Sequence, residues 1–579
     1  MAAMKYTGIL CAVLLYGCGS ESGRSAGGTV AIAAGWDPDA LVPALVQTTT
    51  AAEIVDMIYD RLADIGDSLN IVGDGGFTPR LADRWTWSRD SMSIAFHLNP
   101  NAKWHDGQPV RSNDVRFTIA STKDSTLASP AASVIANIDS VSTPDSATAV
   151  FWFHERSPQQ FYDAVFQNPI MPEHVWKNIS PAGWRASAPA KNPIGSGQYK
   201  FARWIPSAAV ELVADTTNYR GAPKISRLIW SIAPDFNTAL TRFVGGETDV
   251  FENLRPENVP EVRRHSTLTL KLNPWLAYTF LQFNLRNPVD HDRPHRLFGN
   301  RALRRALTMA IDRAAIVRSI YDTMALPALG PTVRTYPTTD PNISQIPYDL
   351  AAARQLLDSL GWRMSASDSV RTRNDRPLRF AISVPASSKG RVQTAVLIQE
   401  QLRQAGVKVD IEQLAFPALV DKMRKRAIDA YIGQWNTQPS PGAVRGSWGI
   451  AASRTPGGNN VGSYENPVFD AYVDSAVNSF DLARRRQYFS RAYATIIQDA
   501  PAVWLAEPRQ VIGYQSRLQV ANMRSDAWWA HLADWWIPAD KRIARDSIPP
   551  SPAATPAAAA PAPATNAPAS APSAGKKTP

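Results

Sequence analysis

A helix, a glycine and a strand follow one another directly in the second half of this chain, and that order constrains the fold. Apolar residues recur at helical spacing over Val392–Ala405. Gly406 comes next, where a left-handed residue commonly ends a helix. Apolar and charged residues then alternate over Val407–Glu412, which is the period of a half-buried strand. Units of this kind predict an α/β architecture.

A second amphipathic helix is predicted between Asp349, which begins it, and Gly361, which closes it. Its apolar side carries Leu350, Ala353, Leu356, Leu357 and Leu360. The chain has 579 residues, enough for several domains with large cores, and no internal repeat is visible. We therefore expect several α/β units of different sequence.

Charge and cysteine content exclude several classes of protein. The net charge is +10, but basic and acidic residues are mixed, and the densest basic run, Arg484–Arg486, is expected on a solvated helix face. We therefore expect no nucleic-acid partner. The only cysteines are Cys11 and Cys18. Burial rather than disulfides must hold the fold if Cys11 leaves with a leader and Cys18 is lipidated.

The N-terminus predicts export. A single basic residue, Lys5, precedes the apolar stretch Ile9–Cys18, which is too short to span a bilayer. Leu15–Cys18 resembles a bacterial lipobox, which implies a lipoprotein signal peptide over 1–17 and a lipid on Cys18. Residues 18–28 form the flexible linker that follows. The alternative is an ordinary secretory leader with a chance cysteine. Either reading places the protein outside the cytoplasm, on the periplasmic or cell-surface side.

The C-terminal segment 547–579 is rich in proline and alanine. Such a composition offers almost nothing to bury, so we expect a disordered tail. An inert tail is the favoured interpretation, with a spacer or a cell-wall contact as alternatives.

The most specific stretch runs from Leu81 to Ile119. An alternating strand leads into a turn at Asp106-Gly107. Ser112 is then the expected N-cap of a helix with Asp114 in its first turn.

This stretch resembles the signature region of the family 5 extracellular solute-binding proteins, which include the oligopeptide, dipeptide and nickel receptors of ABC importers. Further motifs of that family occur in the expected order along the chain. They are Gly35–Leu41, Asn192–Tyr199, Asn218–Gly221, Gly246–Val250, Phe283–Asn284, Leu303–Arg313 and Asn466–Asp470.

The resemblance implies an α/β, two-lobed periplasmic binding protein of type II with the extra domain of the peptide-binding cluster. Lobe I is then expected over 29–60, 190–275 and 511–546, the inserted extra domain over 61–189, and lobe II over 276–510. It also implies a monomeric receptor that closes over a small solute and delivers it to an ABC permease in the cytoplasmic membrane. We expect no cofactor.

Several residues look catalytic in isolation. His105 and Asp106 are adjacent, which does not favour a relay, and Gly195 and Gly197 lack the Lys-Ser/Thr ending of a phosphate loop. We assign all four to turns and packing. Gly23–Gly27 matches Gly-x-Ser-x-Gly but lies in the linker. We therefore expect no enzyme and no catalytic residue.

His291–His295 brings together two imidazoles and a carboxylate. Pro294 and polar neighbours favour an exposed loop, so we expect no metal site there.

Aromatic side chains suit the ligand cleft because they give large, rigid contact areas. The candidate ligand-binding residues are Trp36, Trp435, Asn436, Gln438, Arg445 and Trp448. Trp36 follows the first strand, whose loop faces the cleft in the family. Packing roles are expected for Trp275, Tyr278, Trp528, Trp529, Trp535 and Trp536.

In peptide receptors of the family, the tryptophan at this place is closely followed by an aspartate that pairs with the peptide α-ammonium. Here Gln438 and Ser440 stand where acids are expected. Short peptides remain the expected ligand. An oligosaccharide, a metal chelate and a peptide-like antibiotic stay open as alternatives. An extracytoplasmic hydrolase and a surface adhesion or chaperone protein are more distant ones.

Overall fold

The computed structural model of this protein describes residues 27–166, 168–365, 369–549 and 551–554. The predicted signal peptide, Cys18 and most of the predicted tail lie outside the described residues. Among the described residues, no helix combines the length and the apolar composition that crossing a bilayer requires.

The chain first forms a completely buried strand and a helix. They are β1 (Thr29–Ala34) and α1 (Thr49–Ile58). Thr48 caps α1, since its hydroxyl accepts from the backbone N–H of Ala51 at 3.4 Å.

An inserted domain follows. Its elements are β2 (Ala63–Ile65), β3 (Phe77–Pro79), β4 (Ala82–Trp87), β5 (Ser93–Leu98), α2 (Ser112–Lys123), β6 (Ile138–Asp145), β7 (Thr148–Phe153), α3 (Gln160–Val165), α4 (Glu173–Trp176) and α5 (Ala188–Lys191). The strands β4-β5-β7-β6 make one antiparallel sheet, and α2 packs on β6 and β7.

The predicted N-cap of α2 was wrong by one residue. Arg111 is the N-cap, and Ser112 is the first helical residue, whose hydroxyl donates to the carbonyl of Asp145 instead. The Asp114 carboxylate accepts from the backbone N–H of Arg111 at 2.8 Å, so the first turn is closed from inside the helix. Asp114 lies in that turn, as predicted.

The chain then returns to the first region. It forms β8 (Tyr199–Ile205), β9 (Ala209–Ala214), β10 (Arg227–Ile232), α6 (Phe236–Val244), β11 (Val250–Phe251), α7 (Val259–Arg263) and β12 (Leu268–Pro274). We call this region, with β1 and α1, lobe I.

The next region, lobe II, is the longest continuous one. Its strands are β13 (Ala277–Phe283), β14 (Ala325–Pro327), β15 (Arg363–Met364), β16 (Arg371–Arg373), β17 (Arg376–Pro377), β18 (Arg379–Pro385), β19 (Lys408–Leu414) and β20 (Ala430–Asn436). Its helices are α8 (Arg301–Met309), α9 (Arg313–Tyr321), α10 (Leu350–Ser359), α11 (Lys389–Gln404), α12 (Phe416–Arg424), α13 (Val444–Trp448), α14 (Ile450–Arg454), α15 (Pro467–Val477) and α16 (Leu482–Asp499).

The helix–glycine–strand unit is confirmed as α11, Gly406 and β19. Gly406 has a φ of +79°, the left-handed conformation that its position after a helix predicted. The helix begins at Lys389, three residues before the predicted start, because its first turn is polar and carries no apolar period. Asp349 caps α10 as predicted, accepting from the N–H of Ala352 at 2.8 Å.

One long strand, β21 (Ala502–Gln515), joins the two lobes. Its first half pairs with β13 of lobe II, and its second half pairs with β12 and β11 of lobe I. The sheet order is β19-β18-β20-β13-β21-β11-β1-β10-β9-β8. The chain therefore crosses between the lobes twice, once between β12 and β13 and once within β21.

The predicted tail is partly ordered. The N–H of Ser551 donates to the buried Glu211 carboxylate at 3.2 Å, and the N–H of Ala554 donates to the carbonyl of Phe201 at 3.0 Å. The disordered tail was therefore predicted to begin too early, because the partners of these residues lie on the distant strands β8 and β9.

Candidate ligand-binding cleft

A cavity of about 400 Å³ lies between α1 of lobe I and the loop after β20 of lobe II. Neutral amide side chains line it from both lobes: Gln47, Asn253, Asn436, Gln438 and Gln510. We call this cavity the amide end of the cleft. Its volume falls in the range of sites for small ligands, roughly 300–1,000 Å³.

A second cavity, of about 350 Å³, continues the first on the other side of Trp275. Both cavities share Asn253 and Trp275, so together they form one elongated cleft. The second cavity is lined by Arg255, Lys389, Arg391 and Arg509. We call it the basic end.

Trp275 was expected in a packing role, and the structure corrects this. It lies between β12 and β13, at one crossing between the lobes, is half-buried and borders both cavities. The sequence signal that could have identified it is its position in the short break between the alternating patterns of β12 and β13. Trp528 and Trp535 are buried in the core of lobe I, as predicted.

Three predicted residues come together at the end of β20. Trp435 stacks on Phe280 with ring centroids 6.1 Å apart, and Asn436 and Gln438 line the amide end. These three also border a side cavity of about 110 Å³. The indole N–H of Trp435 is buried beside this side cavity and has no hydrogen-bond partner among the described residues.

A tyrosine fixes the loop that carries Gln438. The hydroxyl of Tyr336 donates to the backbone carbonyl of Gln438 at 2.7 Å and lies 2.6 Å from the hydroxyl of Thr437. The loop backbone is thereby held in place while the Gln438 side chain remains exposed at the cleft.

The other three predicted residues lie elsewhere. Trp448 is completely buried and donates its indole N–H to the hydroxyl of Tyr278 at 3.0 Å. Arg445 pairs with Asp474 of α15 on the outer surface. Trp36 is 74% exposed, and neither cavity includes it. Nearness in sequence to the cleft-lining residues therefore did not place these three side chains in the cavities, because packing of their elements directs them elsewhere.

The loop after Trp36 is held against the β8–β9 hairpin. The Asp37 carboxylate accepts from the indole N–H of Trp204 at 2.9 Å and from the backbone N–H of Ser207 at 2.9 Å. These bonds fix the direction of the loop away from the two cavities.

Charged side chains at the amide end are already paired. Asp56 binds Arg61 at 2.7 Å, and Asp526 binds Arg524 at 2.6 Å. Arg524 also contacts Asp64 at 3.3 Å. Burial opposes ionisation of Asp64, but the neighbouring guanidinium groups outweigh it and lower the pKa of that carboxyl to about 2. These charges hold the wall of the cavity.

Two carboxyl groups face each other behind that wall. Glu53 accepts from the indole N–H groups of Trp230 and Trp528, and Glu252 accepts from Trp528 and from the side-chain amide of Gln510. Burial, and then repulsion between the two groups, raises the pKa of Glu53; burial also raises that of Glu252. We infer that the pair retains a proton, which avoids two adjacent buried charges.

The motif residues that look catalytic have packing roles. A Cβ atom on Gly195 would lie 1.9 Å from the carbonyl oxygen of Ile58, so only glycine fits there. His105 donates from Nε2 to the carbonyl of Gly197 at 2.9 Å and accepts at Nδ1 from the N–H of Gly195. Burial lowers the pKa of His105 to about 4, which keeps the ring neutral.

The two histidines of the 291–295 loop differ in solvent exposure. His291 is exposed, whereas His295 is buried and donates to Asp429 at 3.0 Å. Within the described part of the chain, no group of three or more His, Cys, Asp or Glu side chains is arranged to hold a metal ion.

Known proteins are similar in sequence to most of this chain. The oligopeptide-binding protein AppA of Bacillus subtilis is 23% identical over 547 residues, which covers 91% of this chain and 97% of AppA. A putative ABC transporter peptide-binding protein of Brucella ovis is 28% identical over 438 residues, covering 74% of this chain and 77% of that protein.

Solved structures share the fold. AppA in complex with a nonapeptide matches with a TM-score of 0.70 at 22% identity, over 88% of this chain and 99% of that one. NikA of Brucella suis, in complex with Fe(III)-EDTA, matches with a TM-score of 0.75 at 17% identity, over 88% of this chain and all of that one. The two-lobed α/β fold is thereby confirmed.

Residues 76–452 match the profile of the bacterial extracellular solute-binding proteins, family 5 Middle, which is more than half of the chain. The motifs predicted this membership, and the profile confirms it. The chain belongs to the bacterial extracellular solute-binding proteins of family 5.

Proposed function

We propose that this protein is the substrate-binding receptor of an ABC importer, capturing short peptides in the cleft and delivering them to a membrane permease. The elongated cleft between the lobes carries this proposal. It is bordered at Trp275 by one of the two strand crossings, so a hinge movement there opens and closes both cavities together. A bound solute that contacts both lobes stabilises the closed state.

The chemistry of the amide end supports a peptide. Asn253, Asn436, Gln438 and Gln510 each offer donors and acceptors of the kind that a peptide backbone presents. Trp275 adds aromatic surface to this end, and Trp435 adds it to the adjoining side cavity; such surface tolerates different side chains. We propose Trp435, Asn436 and Gln438 as ligand contacts, together with Trp275. The names of the AppA and Brucella ovis relatives support a peptide as the ligand.

A non-peptide solute is the second candidate, and one observation favours it. Among the residues that the structure describes, no unpaired carboxylate lines the amide end, since Asp56 and Asp526 both hold arginines there. An α-ammonium group would therefore lack a counter-charge at Gln438. The Fe(III)-EDTA complex of NikA shows that this fold also accommodates a chelate in another protein.

We further propose that the protein works outside the cytoplasm as a monomer, anchored through a lipid on Cys18, and that it catalyses no reaction. The Leu15–Cys18 motif supports the anchor. Mass spectrometry of the N-terminal peptide tests it: a diacylglycerol mass on Cys18 is expected, and an unmodified thiol would contradict it.

Native mass spectrometry of the purified protein tests the function. A spread of bound masses that match short peptides is expected. Calorimetric titration with such peptides should then give their affinities.

Variants test the contact at Trp275. Trp275→Ala should weaken peptide binding, whereas Trp152→Ala, a matched change of a 44% exposed tryptophan on β7, should not. One discrete non-peptide mass would favour the second candidate. Cleavage of added peptides would favour the hydrolase alternative.

A further inference from the structure

The large sheet ends in lobe I at the strand β8. This strand pairs with β9 from Tyr199 to Ile205, and among the described residues no other strand pairs with it. The open side of an edge strand presents N–H and C=O groups to which a strand of another chain can add. Ile205, at the end of β8, is also exposed to solvent. An edge of this kind favours association unless another segment covers it.

The C-terminal segment crosses this half of the sheet, whose strands lie in the order β1-β10-β9-β8. It begins at β1, where the carboxylate of Asp546 accepts from the backbone N–H of Thr29 at 2.7 Å. On β10, the side chain of Arg227 donates to the carbonyl of Arg545 at 3.3 Å. Arg517 also binds Asp546 at 2.6 Å. These contacts fix the start of the segment over the first two strands.

Ser551 attaches the segment to β9. Its N–H and its hydroxyl donate to the buried carboxylate of Glu211, at 3.2 and 3.1 Å. Arg203 and Arg227 lie 2.8 and 3.6 Å from the same carboxylate. Hydrogen bonds to a charged acceptor are stronger than those between neutral groups. Ser551 therefore holds the segment firmly at the third strand.

Ala554 reaches the open side of β8. Its N–H donates to the carbonyl of Phe201 at 3.0 Å, and its methyl group packs against the core of lobe I. Successive residues of a strand direct their backbone groups to opposite sides. The carbonyl of Gln198 accepts from the N–H of Asp215 on the β9 side, so that of Phe201, three residues later, lies on the other side. The segment thus occupies a group of the edge itself.

Prolines make the segment a poor template for a further strand. Pro549 and Pro552 have no backbone N–H, so they cannot donate to a strand that approaches from outside. The segment therefore covers the edge of β8 without presenting an equivalent new edge.

We infer that residues 545–549 and 551–554 form a strap that ends the sheet and keeps β8 from pairing with β8 of a second copy of this chain. Two such edges related by a two-fold axis would pair antiparallel, and two-fold dimers are the commonest protein oligomers. The strap goes beyond the proposed function and does not depend on the solute that the cleft binds.

Two truncated chains test the strap against the full chain. One ends at Ile548, so it keeps Asp546 and lacks Ser551 and Ala554, and the other ends at Thr555 and keeps all three. Light scattering after gel filtration measures their masses over a range of concentrations. The chain that ends at Ile548 should reach twice its monomer mass as concentration rises. The chain that ends at Thr555 should stay monomeric, as the full chain does.

Hydrogen exchange locates the contact. In the full chain the amide of Ala554 should exchange about tenfold more slowly than in an unstructured peptide, because it is hydrogen-bonded. In the dimer of the chain that ends at Ile548, the amides of Tyr199 and Phe201 should be more protected than in its dilute monomer, because they lie on the open side of β8.

A point change tests the strap in the full chain. Ser551→Asp places a second carboxylate against Glu211, so the segment should detach from β9 and the same dimer should form. Ser570→Asp is the matched control, since it makes the same change of charge in the part of the tail outside the described residues and should leave a monomer. This pair of variants decides the matter if the chain that ends at Ile548 does not fold.

Three results would contradict the strap. The first is a folded chain ending at Ile548, or a folded Ser551→Asp protein, that stays monomeric at every concentration. The second is equal association of both truncated chains, which would assign the effect to residues after Thr555. The third is association without added protection at Tyr199 and Phe201, which would place the contact on another surface.

Discussion

The amide end and the basic end share a wall at Trp275, yet they treat charge in opposite ways. At the amide end, Asp56 and Asp526 each hold an arginine, and neutral amides face the cavity. At the basic end, Arg391 and Arg509 line the cavity, and among the described residues neither lies within ion-pair distance of a carboxylate; Arg509 acts only at longer range on Glu507, which Arg334 holds. The paired charges at the amide end build the wall of the cavity, whereas the basic side chains at the basic end face the cavity outside any ion pair among the described residues.

This difference shows that charge content does not reveal where a ligand binds. Both ends contain several arginines, and only the pairing separates a structural guanidinium from one available for recognition. The contrast predicts different consequences when residues at the two ends are changed.

Removing a paired charge should have the largest effect, on stability. Arg524 is buried and binds Asp526 and Asp64, so Arg524→Ala leaves Asp526 without its ion-pair partner and leaves Asp64 with Arg80 alone. We expect the free energy of unfolding to fall by about 3–5 kcal/mol, measured by urea denaturation. Arg403 forms an exposed ion pair with Glu400, so Arg403→Ala should lower the free energy of unfolding by less than about 1 kcal/mol. Equal losses in the two variants would contradict the structural role of the amide-end pairs.

The carboxyl pair behind the amide end predicts a pH dependence. The raised pKa values of Glu53 and Glu252 mean that the folded protein retains a proton that the unfolded chain loses above about pH 4.5. Their contribution to stability is therefore complete below that pH and is lost as pH rises towards the folded pKa, by up to about 1.4 kcal/mol per pH unit for each retained proton.

Glu252→Gln checks this dependence, because its amide stays neutral at every pH. Between pH 5 and pH 7 the free energy of unfolding should decrease less steeply in the variant than in the unmodified protein. Denaturation series at the two pH values measure this difference. Parallel slopes would show that Glu252 releases its proton in the folded protein.

An acid placed at the amide end should give the two ends of the cleft opposite charges. Gln438→Asp supplies a counter-charge for an α-ammonium, and we expect peptides with a free N-terminus to bind about tenfold more tightly, which corresponds to about 1.4 kcal/mol. N-acetylated peptides should gain nothing, and calorimetry with both forms measures the difference. An equal gain for both would show that the peptide N-terminus does not lie at this residue.

Removing an unpaired charge should have the smallest effect on stability. Arg391→Gln relieves a desolvated guanidinium that no acid balances, so the free energy of unfolding should change by less than about 1 kcal/mol. Urea denaturation without ligand measures it. A loss as large as that of Arg524→Ala would mean that Arg391 supports the fold and would weaken the comparison.

Local patterns predicted the local structure well. The helix α10 with its Asp349 cap, the glycine at 406 and the strand β19 depend on residues close together in sequence, so the sequence sufficed. The helix α11 begins three residues before the predicted start, because its polar first turn carries no apolar period, and the N-cap of α2 is Arg111, one residue before the predicted Ser112.

The candidate site was predicted only in part. Trp435, Asn436 and Gln438 lie together because they are neighbours in sequence at the end of β20, and their role as ligand contacts stays a prediction. Trp448 was misplaced because ten residues further on a helical turn directs its ring into the core beside Tyr278. Trp275 was expected to pack, yet it borders both cavities, because it lies where the chain passes between the lobes.

The sequence by itself determined the elements, the family and the absence of an acid at position 438, since these are properties of single residues and of short-range periodicity. Only the tertiary structure decided which charges are paired. Ion pairs such as Arg524 with Asp64 join residues 460 positions apart, and the basic end gathers side chains from both lobes. Electrostatic interactions depend on distance in space and on burial, and packing fixes both.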